Sequence, residues 1–98
     1  MKRKRVYIAG PMTGLRNYNR EAFFAAAETL RVAGFDPVHT ADMPDGLEYK
    51  TYIKRSKKLL KTCDAVCLLD GWNRSNGVMK HELPLALKRG MQVVELKR

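Results

Sequence analysis

No apolar run in the chain approaches the length of a membrane span, so no transmembrane helix is expected and a membrane is not among the expected partners. Cysteine is nearly missing. Cys63 and Cys67 are the only two, both expected in or beside buried elements. Two thiols without a secretion signal point to a reducing, cytoplasmic setting. Their spacing is wrong for a zinc pair, and His39 and His81 are remote in sequence, so neither a metal nor a cofactor is expected. The run Met1-Lys2-Arg3-Lys4-Arg5 has the charge of a signal-peptide start. The apolar stretch behind it is too short and breaks at Gly10-Pro11, which excludes that reading. There is no internal repeat, low-complexity tract or linker. With 98 residues and 45% apolar content, the chain reads as one globular domain over 1–98 rather than a disordered segment.

Acidic residues are the other scarcity: 10 Asp and Glu face 19 Lys and Arg, a formal charge of +9. That excess permits binding to nucleic acid or to phosphorylated small molecules. A solvated surface explains it equally. Many of the cations fall in the N-terminal run and on the second predicted helix.

What the chain does have is a strong first strand that breaks into a glycine-bearing loop, Val6-Tyr7-Ile8-Ala9-Gly10-Pro11-Met12-Thr13-Gly14. Its apolar residues run continuously, as in a strand covered on both faces of a parallel sheet. The alternation behind it predicts strands over 5–9, 35–39, 65–69 and 91–96, and helices over 20–33, 47–62 and 79–88. Asn19 is the expected N-cap of the first helix and Gly34 its C-terminal stop. Pro37 places the second strand at an edge. The loop from Thr40 to Gly46 carries the turn-formers Asp42, Pro44, Asp45 and Gly46. Tyr49, Tyr52, Ile53, Ser56, Leu59, Leu60 and Cys63 form the apolar face of the second helix, with lysines over most of the remainder. Pro84 either sits in the first turn of the third helix or kinks it. The fold class is therefore α/β, a flavodoxin-like four-stranded parallel sheet of order 2-1-3-4 between helical layers. Its first loop faces the second glycine-bearing loop, Asp70-Gly71-Trp72-Asn73-Arg74-Ser75-Asn76-Gly77, across the switch point where ligands bind.

Those loops gather Tyr7, Asp70, Ser75 and Glu82. A glutamate just inside a helix, facing a glycine loop and a tyrosine, can act as a carboxylate nucleophile, and a sugar's anomeric carbon is a suitable electrophile. Amides near Ser75 to Gly77 can hold a hydroxyl or phosphate at the helix N-terminus. From spacing alone, Glu82 reads more simply as a solvated carboxylate favoured by the helix dipole.

Tyr-Ile-Ala-Gly-Pro-Met-Thr-Gly at residues 7–14 resembles the opening motif of the nucleoside 2-deoxyribosyltransferase-like superfamily, close to a small branch of uncharacterised phage and bacterial proteins. Cys63-Asp64-Ala65-Val66, Gly71-Trp72, Ser75, Gly77, Glu82, Ala86 and Gly90 resemble the second half of that branch, so the likeness spans nearly the whole chain. It implies a flavodoxin-like fold, a nucleoside or nucleotide ligand and homo-oligomers, often dimers. It implies an N-glycosidic-bond enzyme, a deoxyribosyltransferase or deoxynucleotide N-hydrolase, with Glu82 attacking C1′, Tyr7 orienting it and Asp70 touching the sugar. Gly10, Pro11, Met12, Trp72, Ser75 and Gly77 are the implied substrate contacts. Two departures stand out. The interval from Gly77 to Glu82 is one residue longer than the usual pattern, which turns Glu82 away from the pocket on a regular helix. Ser56 stands where those enzymes carry an aspartate that assists the leaving base, and Asp42, Asp45 or Asp70 are the carboxylates left to replace it. The alternatives are a nucleotide-binding protein that has lost the chemistry and a basic module for nucleic acid.

Overall fold

The structure, a computed structural model, describes residues 3–43 and 46–96. Four strands, β1 (Arg5–Ala9), β2 (Asp36–Val38), β3 (Ala65–Leu69) and β4 (Gln92–Leu96), form one parallel sheet in the order β2-β1-β3-β4. This is the topology the alternation predicts. β2 is shorter than expected and lies at the edge, where Pro37 sits opposite Val6. Helix α1 (Arg20–Val32) covers one face, and α2 (Tyr49–Leu60) and α3 (Leu83–Lys88) cover the other. Among the described residues no helix is long and apolar enough to cross a membrane.

The continuous apolar runs of β1 and β3 are explained by burial on both faces. Tyr7, Ala9, Val66 and Leu68 point into a core with Leu60, Cys63, Val78 and Ala86 on the α2–α3 side. Ile8 and Leu69 point into a second core with Phe23, Ala26 and Ala27 of α1. Both cysteines are buried free thiols. At the amino edge Arg5 ties the strand starts together. Its Nε donates to Thr62 O at 3.1 Å, its Nη1 reaches Asp36 Oδ2 at 3.3 Å, and its backbone N–H donates to Asp64 Oδ2 at 2.9 Å.

The expected cap at Asn19 is corrected. Asn17, Tyr18 and Asn19 take left-handed backbone angles, with φ of 51°, 52° and 60°. Asn19 Nδ2 donates instead to Pro11 O at 3.0 Å, tying the first loop to the start of α1. The far end of α1 closes as expected, with Gly34 N–H on Arg31 O at 3.1 Å and Phe35 N–H on Leu30 O at 2.9 Å, the paired bonds of a Schellman stop.

The two loops meet at the carboxyl edge of β1 and β3. A Cβ on Gly10 would lie 2.8 Å from Leu69 Cβ, and one on Gly71 would lie 3.2 Å from Pro11 Cγ. Only glycine lets the strand ends and loops approach this closely. Leu69 Cβ is an inner atom that cannot swing aside, so Gly10→Ala is expected to lower unfolding free energy by about 1–3 kcal/mol. Urea titration checks this, and an unchanged midpoint would mean the β1–β3 contact has slack.

Candidate active site

Glu82 owes its place to the helical segment that follows β3. Ser75 caps its start: its backbone is extended, its Oγ accepts from Val78 N–H at 3.3 Å, and its carbonyl accepts from Met79 N–H at 2.9 Å. The segment does not continue as a regular α-helix. Val78–Glu82 form a π-helical turn, closed by Leu83 N–H on Val78 O, and α3 begins directly after it. Pro84 therefore lies in the first turn of α3. In an unbroken α-helix its ring would press on the carbonyl four residues back and leave it without a donor; the wider π turn relieves that conflict. The same turn takes up the extra residue between Gly77 and Glu82. The expected rotation away from the pocket does not occur, and Glu82 is not a solvated carboxylate, because it is only 5% exposed.

Its carboxyl meets Tyr7, whose hydroxyl donates to Oε2 from the middle of β1. Burial pushes the Glu82 pKa up to about 7, and hydrogen bonds from Tyr7 and Ser56 act against that rise. The Ser56 hydroxyl donates to Ile53 O at 2.9 Å, and its nearness to the carboxyl favours the charged form. Tyr7 is raised well above the ordinary tyrosine value by burial first and by Glu82 second, which keeps it a donor.

In front of Glu82 opens a cleft of about 330 Å³. Gly10, Met12, Ser75 and Gly77 line it as the sequence predicted, with Glu82 in its wall and Tyr7 buried behind. Three predicted residues lie elsewhere. Asp70 is exposed and, with Pro11, lines a separate depression against α1. That depression is larger, about 510 Å³, but it contains neither Glu82 nor Tyr7. Trp72 packs half-buried against the core beneath Tyr7. Ser56 is fully buried and does not line the cleft, so a side chain there faces Glu82 rather than a departing base. Asp42 is exposed and outside the cleft, and Asp45 lies outside the described residues.

The sequence patterns do not announce a further polar cluster of the cleft, beside Tyr7. The Tyr52 hydroxyl lies 2.7 Å from Thr40 Oγ1 and donates to Met12 Sδ at 3.0 Å. Thr40 is held by its neighbour, because Arg20 Nε donates to Ala41 O at 2.9 Å. The spacing of Tyr52 predicts only an apolar helix face. Its hydroxyl, one turn before Ser56, was the available signal. Tyr18 and Tyr49 add aromatic surface at the mouth.

The parallel β2-β1-β3-β4 sheet with helices on both faces is a fold shared with a solved 2-deoxyribosyltransferase. The 2-desoxiribosyltransferase from Leishmania mexicana superposes with a TM-score of 0.74 at 18% identity, over 95% of this chain and 63% of that one. The likeness establishes the flavodoxin-like fold that the sequence resemblance implied, and the chain spans a little under two thirds of that relative's length. By sequence the chain belongs to the family described as a domain of unknown function (DUF4406), which matches residues 4–95. No curated protein matches it.

The raised Glu82 pKa fixes a pH dependence of stability. Between the ordinary value of 4.5 and about 7 the folded chain keeps a proton that the unfolded chain has released. Stability contributed by this group is thus full below 4.5 and lost as pH rises through 7, by a difference of the order of 3 kcal/mol. Denaturant titrations at several pH values are expected to show this fall in the wild type minus Glu82→Gln difference. A flat difference would place the carboxyl in water.

Proposed function

We propose that this protein is an N-glycosidic-bond enzyme that acts on a nucleoside or nucleotide, with Glu82 as its nucleophile. The observation that carries the reading is the buried Glu82 carboxyl, held by Tyr7 in the wall of a sugar-sized cleft. A carboxylate fixed in this way is placed to attack C1′ of a bound deoxyribose. The C1′–N bond breaks, its electron pair leaves with the base, and the base takes a proton from solvent or from Tyr52. The Tyr52 proton rests on a thioether, a weak acceptor that a base nitrogen can displace. Water or a second base then attacks C1′ of the glycosyl ester and gives up one proton, to solvent or to the Tyr52 oxygen that supplied one; the C1′–O bond to Glu82 breaks, which completes hydrolysis or transfer and restores the carboxylate. Ser75 and Gly77, beside the capped helix start, hold the sugar hydroxyl or 5′-phosphate. The same reading makes the chain a cytoplasmic homodimer; its two free buried thiols support that setting, and the exposed Phe24 and Val32 of α1 support that assembly.

Chromatography of free base from a panel of deoxynucleosides and their monophosphates tests the proposal. Glu82→Gln is expected to lower base release by at least about a thousandfold while ligand binding survives, because the amide keeps the shape but not the nucleophile. Tyr7→Phe is expected to cost about tenfold to a hundredfold, since it removes orientation only. The wild-type rate is expected to rise with pH through about 7 as Glu82 ionises.

One observation favours a second reading, a nucleotide-binding protein without the chemistry. Glu82 is the one carboxyl among the described residues lining the cleft, so no carboxylic acid faces the leaving base. Wild type that binds these ligands and releases no base would establish this reading and end the enzymatic one.

A further inference from the structure

We propose that the groove along α2 is a track for single-stranded nucleic acid, which delivers one unpaired nucleotide of the strand into the cleft. The inference rests on the reading of the cleft as a nucleoside site, and it extends the substrate from a free nucleotide to one within a chain.

Lys50, Lys54, Lys57 and Lys61 recur at intervals of four, three and four residues, which aligns them in one stripe about 16 Å long on a helix. Arg55 and Lys58 flank it, and α2 carries no acidic residue from Tyr49 to Leu60. Among the described residues none of these six cations takes part in an ion pair. Like charges one turn apart weaken a helix, and a polyanion laid along the stripe would relieve that repulsion. At the far end Arg89 Nη2 donates to Lys61 O at 3.4 Å and adds a further cation.

The stripe has a shape as well as a charge. Lys50, Lys54 and Lys57 line a depression of about 290 Å³ with Ile53, Tyr49 and His81, the last supplied by the π turn. Tyr49 is 54% exposed and meets His81 edge-on, with ring centroids 6.0 Å apart. Tyr49 also lines the cleft of Glu82, so the depression and the cleft share a wall. An exposed aromatic face beside a row of cations is the arrangement that holds a single strand, with bases stacked on the ring and phosphates along the lysines. A duplex would have to unpair and extrude a nucleotide first. Glu82 is buried, so a sugar that reaches it has to leave the base stack. A second copy of this chain, itself at +9, is repelled from the stripe.

Fluorescence anisotropy of the full chain with a labelled oligothymidylate tests the proposal. Log affinity is expected to fall against log salt with a slope of about −3, as four lysines meet about four phosphates. Lys54→Glu with Lys57→Glu is expected to weaken binding at low salt by at least about tenfold and roughly to halve the slope. The charge-matched pair Lys4→Glu with Arg31→Glu, on the β2 and α1 side, is expected to change it by less than about twofold. Absence of strand binding at low salt overturns the proposal. So do equal losses in the two double variants, which would reduce the effect to net charge. Duplex DNA or poly-glutamate competing as well as unlabelled oligothymidylate also overturns it, the latter by assigning the stripe to an acidic protein. Strand binding without base release from any substrate leaves the track standing and removes the enzymatic reading. Base release from free deoxynucleotides without strand binding removes the track alone.

Discussion

A carboxyl group taken out of water either finds donors or keeps its proton, and the structure around Glu82 is arranged to hold it between those two states. Burial favours the neutral form; the Tyr7 and Ser56 hydroxyls favour the charged one. The balance depends on β1, which carries Tyr7, lying beside β3, and on the chain after β3 turning back at the right pitch to bring Glu82 over it. The packing of Gly10 on Leu69 and of Gly71 on Pro11 permits the first condition. The Ser75 cap and the π turn supply the second. A shift in any of these separates the Tyr7 hydroxyl from the carboxyl and takes from the buried acid its donor on β1.

The π turn serves two local constraints at once. It lies directly before Pro84, which cannot donate within a regular helix, and it accommodates one more residue than an α-helical turn would. An added residue and a proline inside the predicted helix are thus met by a single widened turn that aims Glu82 at Tyr7. The turn also brings His81 against Tyr49, so the segment that places Glu82 shapes the neighbouring lysine-lined depression as well.

The cleft is polar on both walls but acidic at one point only. Beside Tyr7 and Glu82 stand further hydroxyls and a thioether: Thr40, Tyr52 and Met12, linked to one another and carried by the loop after β2, by α2 and by the loop after β1. Their mutual contacts order three separate chain segments around the ligand space. The two charge regimes of the molecule, the enclosed Glu82 of the π turn and the external row of cations, meet at α2, whose inner face brings Ser56 to the acid and whose outer face carries the lysines. One face is closed by the core, and the other is open to water.

The sequence by itself determined the sheet. Apolar runs at 5–9 and 65–69, helical spacing at Phe23, Ala26, Ala27 and Leu30, and Pro37 at an edge are local patterns, and local patterns with right-handed crossovers leave few topologies. It also singled out Tyr7, Gly10, Met12, Ser75, Gly77 and Glu82, which the structure brings to one cleft or directly behind it. What it did not determine depends on contacts between residues far apart in the chain. Asp70, Pro11 and Trp72 share loops with the cleft residues yet face other surroundings, because a loop's path is set by what it packs against. Asn19 gave up its capping role for the Pro11 carbonyl. Tyr52 looked like core because periodicity reports a face and not the hydroxyl at its end. Whether Glu82 faced water or Tyr7 was decided by a π turn, whose i to i+5 bond no hydrophobic period announces, and by a tyrosine 75 residues away that only the tertiary fold could bring to it.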